Sequence, residues 1–385
     1  MKLFILGNPD SPFVHFFALW LKKIRGETLH IDGVTFDSSE KKYSEEVIHT
    51  LTPTPHAKWV RFFCRLPKVG LLIQAATLHS KCAKKEPYDI CHIQFVMPLY
   101  TIILSLLGIR YRTLILSFWG SDYYRVSGIW RWMQKILVKR ADWITFANET
   151  TRNDFQNSFS IDPKKLVIAR FGLAPLETID HLSMSVSECK EALSINPAYT
   201  VVACGYNASP FQQHERIIDS LETLLDQLPS DIIFVFLLSY GGSVSYRERI
   251  RERLNRSPIR SVCLNDYLNN TQVAIFRKAT DIMIHIPTTD QFSGSMQEHL
   301  YAGSKVITGA WLPYSPWIER GLLLEQIDTP DEIGIALLRV LNHKTDNRLI
   351  QEQNRKVIRA LSSWETCIED WSHLYDRALT HKEPQ

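Results

Sequence analysis

Several familiar signatures are missing from this 385-residue chain. No run approaches the roughly 18 consecutive apolar residues that a membrane-spanning helix needs, and stretches such as Ile102 to Leu107 are of ordinary core length. Met1 to Leu6 stops at Gly7-Asn8-Pro9, too short for the apolar region of a signal peptide and without a small-residue cleavage site. The seven cysteines (Cys64, Cys82, Cys91, Cys189, Cys204, Cys263, Cys367) show no CxxC or Cys/His spacing. That argues against zinc and for reduced core thiols in a cytosolic protein. Neither charge sign dominates, and a formal net charge of +3 makes no electrostatic case for nucleic acid. The G-x-G-x-x-G dinucleotide fingerprint, the Walker motif and a D-x-D pair to hold a divalent cation are all absent.

What is present is the composition of a folded protein, 45% hydrophobic and 22% charged, in a length that suggests two domains. Short apolar runs alternate with helical patterns. Lys2–Leu6, Tyr88–Phe95, Thr113–Phe118, Trp143–Ala147 and Val167–Ala169 read as strands, with helices over Phe13–Lys23 and Trp130–Lys139. The pattern resumes with strands at Thr200–Cys204, Ile232–Leu238, Val262–Leu264, Ile282–Ile286 and Lys305–Thr308, and helices between them. Such β/α alternation predicts parallel, doubly wound sheets covered by helices. Residues 173–197, with two prolines and weak periodicity, read as a linker between a domain over 1–172 and another over 198–359. Ligands of open α/β sheets bind at the carboxyl ends of the strands.

Three segments carry polar chemistry at such positions. In Ile282–Gly303 (IMIHIPTTDQFSGSMQEHLYAG) a buried strand ends at Pro287 and a helix begins near Met296. Ser293, Gly294 and Ser295 place small residues beside that helix N-terminus, where unpaired N–H groups and the dipole suit a phosphate. Asp290 and Glu298 flank it; the bland alternative is a capped loop and a solvent-facing Glu. Cys204–His214 (CGYNASPFQQH) follows a strand and opens a helix, offering Asn207, Ser209, Gln212, Gln213 and His214; alternatively Asn207 or Ser209 simply caps that helix. In Ser117-Phe118-Trp119-Gly120-Ser121-Asp122, Asp122 is the ionisable group, as a base toward a hydroxyl or as an N-cap or partner of Arg125. His92 and Gln94 share one face of their strand and could line a pocket, or His92 could be a satisfied core residue. Asp10 and His15 sit at the first strand-to-helix turn.

The D-x7-E spacing of Asp290 and Glu298 resembles the E-x7-E signature of retaining GT-B glycosyltransferases, especially family 4 and related bacterial polysaccharide enzymes. That resemblance implies a GT-B fold of two Rossmann-like doubly wound α/β domains facing a central cleft. It also implies a C-terminal segment (360–385) crossing back onto the first domain. It would put Asp290 on the transferred sugar and Glu298 on the nucleotide ribose, with Ser293, Gly294, Ser295 and Met296 at the diphosphate. The form GYN-x-S-x-x-QQH is similar to that of fucosamine-type surface-polysaccharide transferases. Asn207, Ser209 and a protonated His214 would then replace the fixed cations found in many relatives. Trp119 stands where many members carry His, which leaves Asp122 as the catalytic candidate beside Asp290, and Asp10, His15, His92 and Gln94 as acceptor-side candidates.

Basic residues with aromatics complete the picture. No acid occurs from Val47 to Lys85, where Lys58, Arg61, Arg65, Lys68, Lys81, Lys84 and Lys85 gather with Trp59, Phe62 and Phe63. None occurs between Asp122 and Asp142, where Arg131, Lys135 and Lys139 fall on one helix face beside Trp130, Trp132 and Met133. These suit an anionic bilayer surface or a solvated face. The expectation is a cytoplasmic transferase, peripheral on the inner face of the cytoplasmic membrane. It would move a sugar from a nucleotide-diphosphate donor to a glycan or lipid-linked acceptor in surface polysaccharide synthesis, retaining and metal-independent, with no cofactor beyond its donor. A sugar-nucleotide epimerase and a non-catalytic glycan-binding module are the alternatives.

Overall fold

The computed structural model describes residues 1–9, 11–34, 47–52, 67–342 and 347–380. The chain divides into two compact units, Met1–Gly172 with Trp364–Gln385, and Leu173–Ser363.

In the first unit, strands β1 (Lys2–Leu6), β2 (His30–Val34), β3 (His49–Leu51), β4 (Tyr88–Gln94), β5 (Tyr111–Phe118), β6 (Trp143–Phe146) and β7 (Leu166–Ile168) form one sheet in the order β3-β2-β1-β4-β5-β6-β7. Its pairings are parallel, which explains why β4 and β5 read as continuous apolar runs: both faces are covered. One face packs on Leu78, Leu104, Leu137 and Phe155; the other packs on the helix Pro12–Arg25 and the last helix, Trp364–Thr380. That last helix is anchored by Trp371 and Tyr375, both fully buried, with the Trp371 indole N–H donating to the Arg170 carbonyl at 2.8 Å. Burying aromatic side chains of this size stabilises by roughly 2–3 kcal/mol each.

In the second unit, β8 (Thr200–Cys204), β9 (Ile232–Leu237), β10 (Ser261–Leu264), β11 (Ile282–His285), β12 (Lys305–Gly309) and β13 (Glu325–Ile327) are ordered β10-β9-β8-β11-β12-β13, again parallel. The expected linker is not irregular. Residues 173–197 contain the helices Ala174–His181 and Val186–Ala192, the latter opened by a capping box between Ser185 and Glu188. Leu173, Leu176 and Ile179 enter the core of this unit, and Lys190 pairs with Asp281 at 2.9 Å. The weak periodicity reflects two short helices that each bury a single turn.

In each sheet the strand order reverses once, between β1 and β4 and between β8 and β11. At such switch points the loops leaving the carboxyl ends diverge and open a crevice. Gly7 and Gln94 stand at the first; Gly205 and the loop after His285 stand at the second.

Candidate active site

At the switch point of the second unit the two motif segments are bonded together. Gly205 N–H donates to Ile284 O at 3.0 Å and Thr288 N–H to Phe211 O at 2.9 Å. The Gln213 amide reaches Ile286 O at 2.6 Å. The Tyr206 ring lies nearly parallel to His285, with centroids 5.8 Å apart, and its hydroxyl bonds the Ser293 side chain.

Asp290 organises the loop before the helix Gly294–Ala302. Its Oδ2 accepts from Phe292 N–H at 3.1 Å, from Ser293 N–H at 2.6 Å and from the Tyr314 hydroxyl, and lies 3.5 Å from His285 Nε2. Burial works to raise the pKa of this carboxyl. The bonds and charge from His285, the Tyr314 hydroxyl and the Ser293 N–H outweigh it and hold the group below the ordinary aspartate range. These bonds keep Phe292 at a φ of 80°, a left-handed conformation that a phenylalanine adopts only when its surroundings impose it. Stacking on Trp317 at 4.8 Å supplies the rest of that restraint. Oδ1 takes none of these bonds.

Glu298 lies one turn into the same helix and is also buried. Arg277, on the helix Asn270–Ala279, donates Nε–H to its Oε2 at 3.1 Å and Nη1–H to His299 Nε2 at 2.9 Å. Burial pushes the Glu298 carboxyl up, and Arg277 only partly pulls it back. Its Oε1 stands 3.8 Å from where a Cβ on Gly294 would lie, beside the helix N-terminus. The N–H groups of Gly294, Ser295 and Met296 are those an α-helix leaves without intrahelical acceptors. The Met296 side chain is in the core, so only its amide can serve a ligand, and the buried Ser295 hydroxyl has no partner among the described residues.

The other segment resolves into structural and accessible parts. Asn207 Oδ1 accepts from Ser209 N–H at 2.9 Å and its side chain bonds the Tyr240 hydroxyl, which lies within the fields of Arg277 and Glu298. Ser209 caps the short 3-10 turn Pro210–Gln212 through Phe211 N–H. The expectation of a protonated His214 is overturned. His214 is fully buried against Phe236 and Tyr246, bonds the Tyr246 hydroxyl at 3.0 Å, and is lowered to about 4 by that burial, so it is neutral at pH 7. The positive charge comes instead from Arg277, and an isolated Arg within a helical pattern gives no sign of that position. Nothing in the sequence singles out His285, Tyr206, Tyr240 or Tyr314, because strand residues and scattered tyrosines read as core.

The switch point of the first unit is built differently. Asp122 accepts Val96 N–H at 2.7 Å on Oδ2 and Trp119 N–H at 2.8 Å on Oδ1, so both oxygens hold backbone. Burial raises it to about 6, against the opposing pull of those N–H bonds. It ties the ends of β4 and β5 together around Phe95, which has φ 61°. In this position it clamps the two loops. Of the two readings of His92, the structure matches the satisfied core residue: Nδ1 bonds Tyr375 OH at 2.7 Å, Nε2 bonds Ser117 Oγ at 2.6 Å, and burial lowers it to about 3. Gln94, two residues on, is buried and neither of its amide atoms has a partner among the described residues, and the same holds for the buried Trp119 indole N–H. Trp119 packs against Phe13, Phe95 and Phe171 at centroid distances of 5.2, 5.8 and 5.2 Å. His15 is half-buried at the start of the first helix, its pKa lowered by burial. Asp10 lies outside the described residues, as do Lys58, Trp59, Arg61, Phe62, Phe63 and Arg65.

No family model matches the chain, and no curated protein matches it in sequence. Solved structures do match in shape. A glycosyltransferase from Rickettsia africae superposes with a TM-score of 0.74 at 12% identity, covering 99% of each chain. Anabaena HepE in complex with UDP and glucose gives 0.75 at 13% identity, over 98% of this chain and 100% of that one. Sucrose-phosphate synthase from Thermosynechococcus elongatus gives 0.74 at 13%, over 99% and 100%. The fold is GT-B. The crevice ends described above are therefore those of a GT-B protein, at identities that speak for architecture alone.

Proposed function

We propose that this GT-B protein is a glycosyltransferase whose second unit binds a nucleotide-diphosphate sugar. The observation that carries the reading is the pair Asp290 and Glu298 at the N-terminus of the helix Gly294–Ala302, each with one oxygen engaged by the protein and the other outside those bonds. The N–H groups of Gly294, Ser295 and Met296 meet the diphosphate, and Arg277 supplies positive charge behind Glu298. Glu298 Oε1 accepts from ribose hydroxyls and Asp290 Oδ1 from the sugar, the roles that the resemblance to E-x7-E enzymes assigns. The helix end and Arg277 stabilise the negative charge that grows on the departing nucleoside diphosphate, which is the electrostatic part of catalysis. The matching structures that hold UDP with glucose or UDP-glucose support a sugar-nucleotide donor for this fold.

The acceptor belongs to the first unit in this reading, at Gln94 and Trp119, whose unpaired polar atoms lie beside an aromatic cluster at the switch point. A glycan or lipid-linked acceptor of a bacterial surface polysaccharide, transfer with retention and no need for a metal complete the proposal. The test is incubation of the full chain with UDP-, GDP- and dTDP-sugars and a glycolipid extract, with and without EDTA. Incorporation of label into glycolipid, unaffected by EDTA and with the donor's anomeric configuration in the product's NMR spectrum, supports it. Conversion of a sugar nucleotide to its epimer without acceptor, or no turnover with any donor, contradicts it.

A further inference from the structure

The helix Gly128–Arg140 has two apolar faces where a surface helix of a soluble domain has one. Its inner face places Leu137 and Val138 in the core, and the buried Gln134 amide donates to Val96 O at 3.0 Å and Asp122 O at 2.8 Å. Thr101 fixes the neighbouring helix to it through Met133 O at 2.9 Å. The opposite face carries Ile129, Trp132 and Ile136 at i, i+3 and i+7, which are 64%, 59% and 36% exposed. Lys135 and Lys139 flank this stripe, both exposed, and no acid occurs between Asp122 and Asp142.

We infer that this helix lies in the headgroup region of an anionic bilayer, with Ile129, Trp132 and Ile136 inserted and Lys135 and Lys139 on the lipid phosphates. The pattern is that of an interfacial helix: an apolar stripe with a tryptophan at its centre and a cationic margin. Among the described residues no helix is long and apolar enough to cross a membrane, so this face would act as a surface attachment. Charge decides against a second copy of the chain as the occupant. A symmetric contact through this stripe would bring Lys135 and Lys139 against their own counterparts with no acid on the helix to offset them. The inference deepens the lipid-linked acceptor in the function proposed above, and its test needs no turnover.

The full chain is floated with vesicles of phosphatidylcholine alone and of phosphatidylcholine with 30% phosphatidylglycerol. The expected result is partitioning onto the anionic vesicles that falls about tenfold or more in the Ile129→Ser, Trp132→Ser, Ile136→Ser triple variant. K135Q and K139Q each lower it roughly fivefold, an effect that disappears at 0.5 M salt. Thermal melts of these variants should match the parent chain, because all five side chains are exposed. Equal partitioning of parent and variants overturns the inference, as does a dimer in sedimentation velocity that the triple variant abolishes while vesicles bind nothing. Binding of UDP, GDP and dTDP measured on the same samples separates the two claims, since absence of binding by all three would sink the donor reading and leave the vesicle result standing.

Discussion

Asp122 in the first unit and Asp290 in the second do the same mechanical task with different electrostatics. Each is a carboxylate just past the carboxyl end of its sheet, Asp122 buried and Asp290 mostly so, and each accepts backbone N–H groups next to a phenylalanine held at positive φ: Phe95 in one, Phe292 in the other. Asp122 meets only neutral N–H donors, uses both oxygens on them, and is pushed up to about 6. Asp290 concentrates its bonds on one oxygen, adds His285 and the Tyr314 hydroxyl, and stays below the ordinary range. The lesson is that a carboxylate near a GT-B crevice is not thereby a catalytic one. What distinguishes the second unit is charge compensation combined with an oxygen outside the loop's own bonds.

Glu298→Gln is the sharpest way to break the comparison. It keeps the shape and an oxygen for Arg277 while removing the charge, and should cost about 10- to 100-fold in nucleotide affinity, since a charge-assisted hydrogen bond contributes about 1.5–3 kcal/mol, with a lower melting temperature because the buried Arg277 loses its counter-charge. Isothermal titration with UDP, GDP and dTDP checks this; unchanged affinity for every nucleotide that binds would remove Glu298 from the site. Asp290→Ala should destabilise the second unit by about 2–4 kcal/mol, because Tyr314, His285 and two backbone N–H groups lose a shared acceptor. Urea unfolding followed by hydrogen exchange in peptides of residues 285–300 would register it.

The pH dependence separates the two carboxylates by sign. Asp122 has a folded pKa above its unfolded value, so its contribution is most favourable below pH ~4 and declines as pH rises to about 6, by on the order of 3 kcal/mol. Asp290, with a lowered pKa, contributes above the unfolded value and loses that contribution as pH falls through its folded one. Exchange in the loops at 95–97 and 119–122 should therefore rise from pH 4 to 6.5, after correction for the intrinsic rate, while exchange at 290–294 should not. The smallest effect belongs to Gln94→Leu. Removing a buried amide with no partner among the described residues should be neutral or stabilising by about 1 kcal/mol. A loss of 2 kcal/mol or more would mean that Gln94 holds a water in the free protein.

The fold was legible because parallel strands buried on both faces are apolar throughout: Ile232–Leu237 and Ile282–His285 leave no polar residue to confuse the reading except His285. Strand β2 escaped it for the converse reason. Its Asp32 is buried and balanced by Lys85, His49 and Tyr88, partners that lie 17 to 56 residues away and cannot be seen locally. The same limit governs the site. The D-x7-E spacing pointed to Asp290 and Glu298, and the small residues between them to a helix N-terminus. Arg277 and Tyr314 reach those acids from other elements, and the burial that neutralises His214 and His92 depends on rings contributed from distant segments.

The claim that the second unit holds a nucleoside diphosphate is tested most directly by hydrogen exchange on the full chain with and without saturating UDP, GDP or dTDP. One of these nucleotides should protect peptides covering residues 205–214 and 290–298, with that protection lost in Glu298→Gln. Saturable binding that protects only the loops of the first unit, or no binding by any of the three, would contradict it.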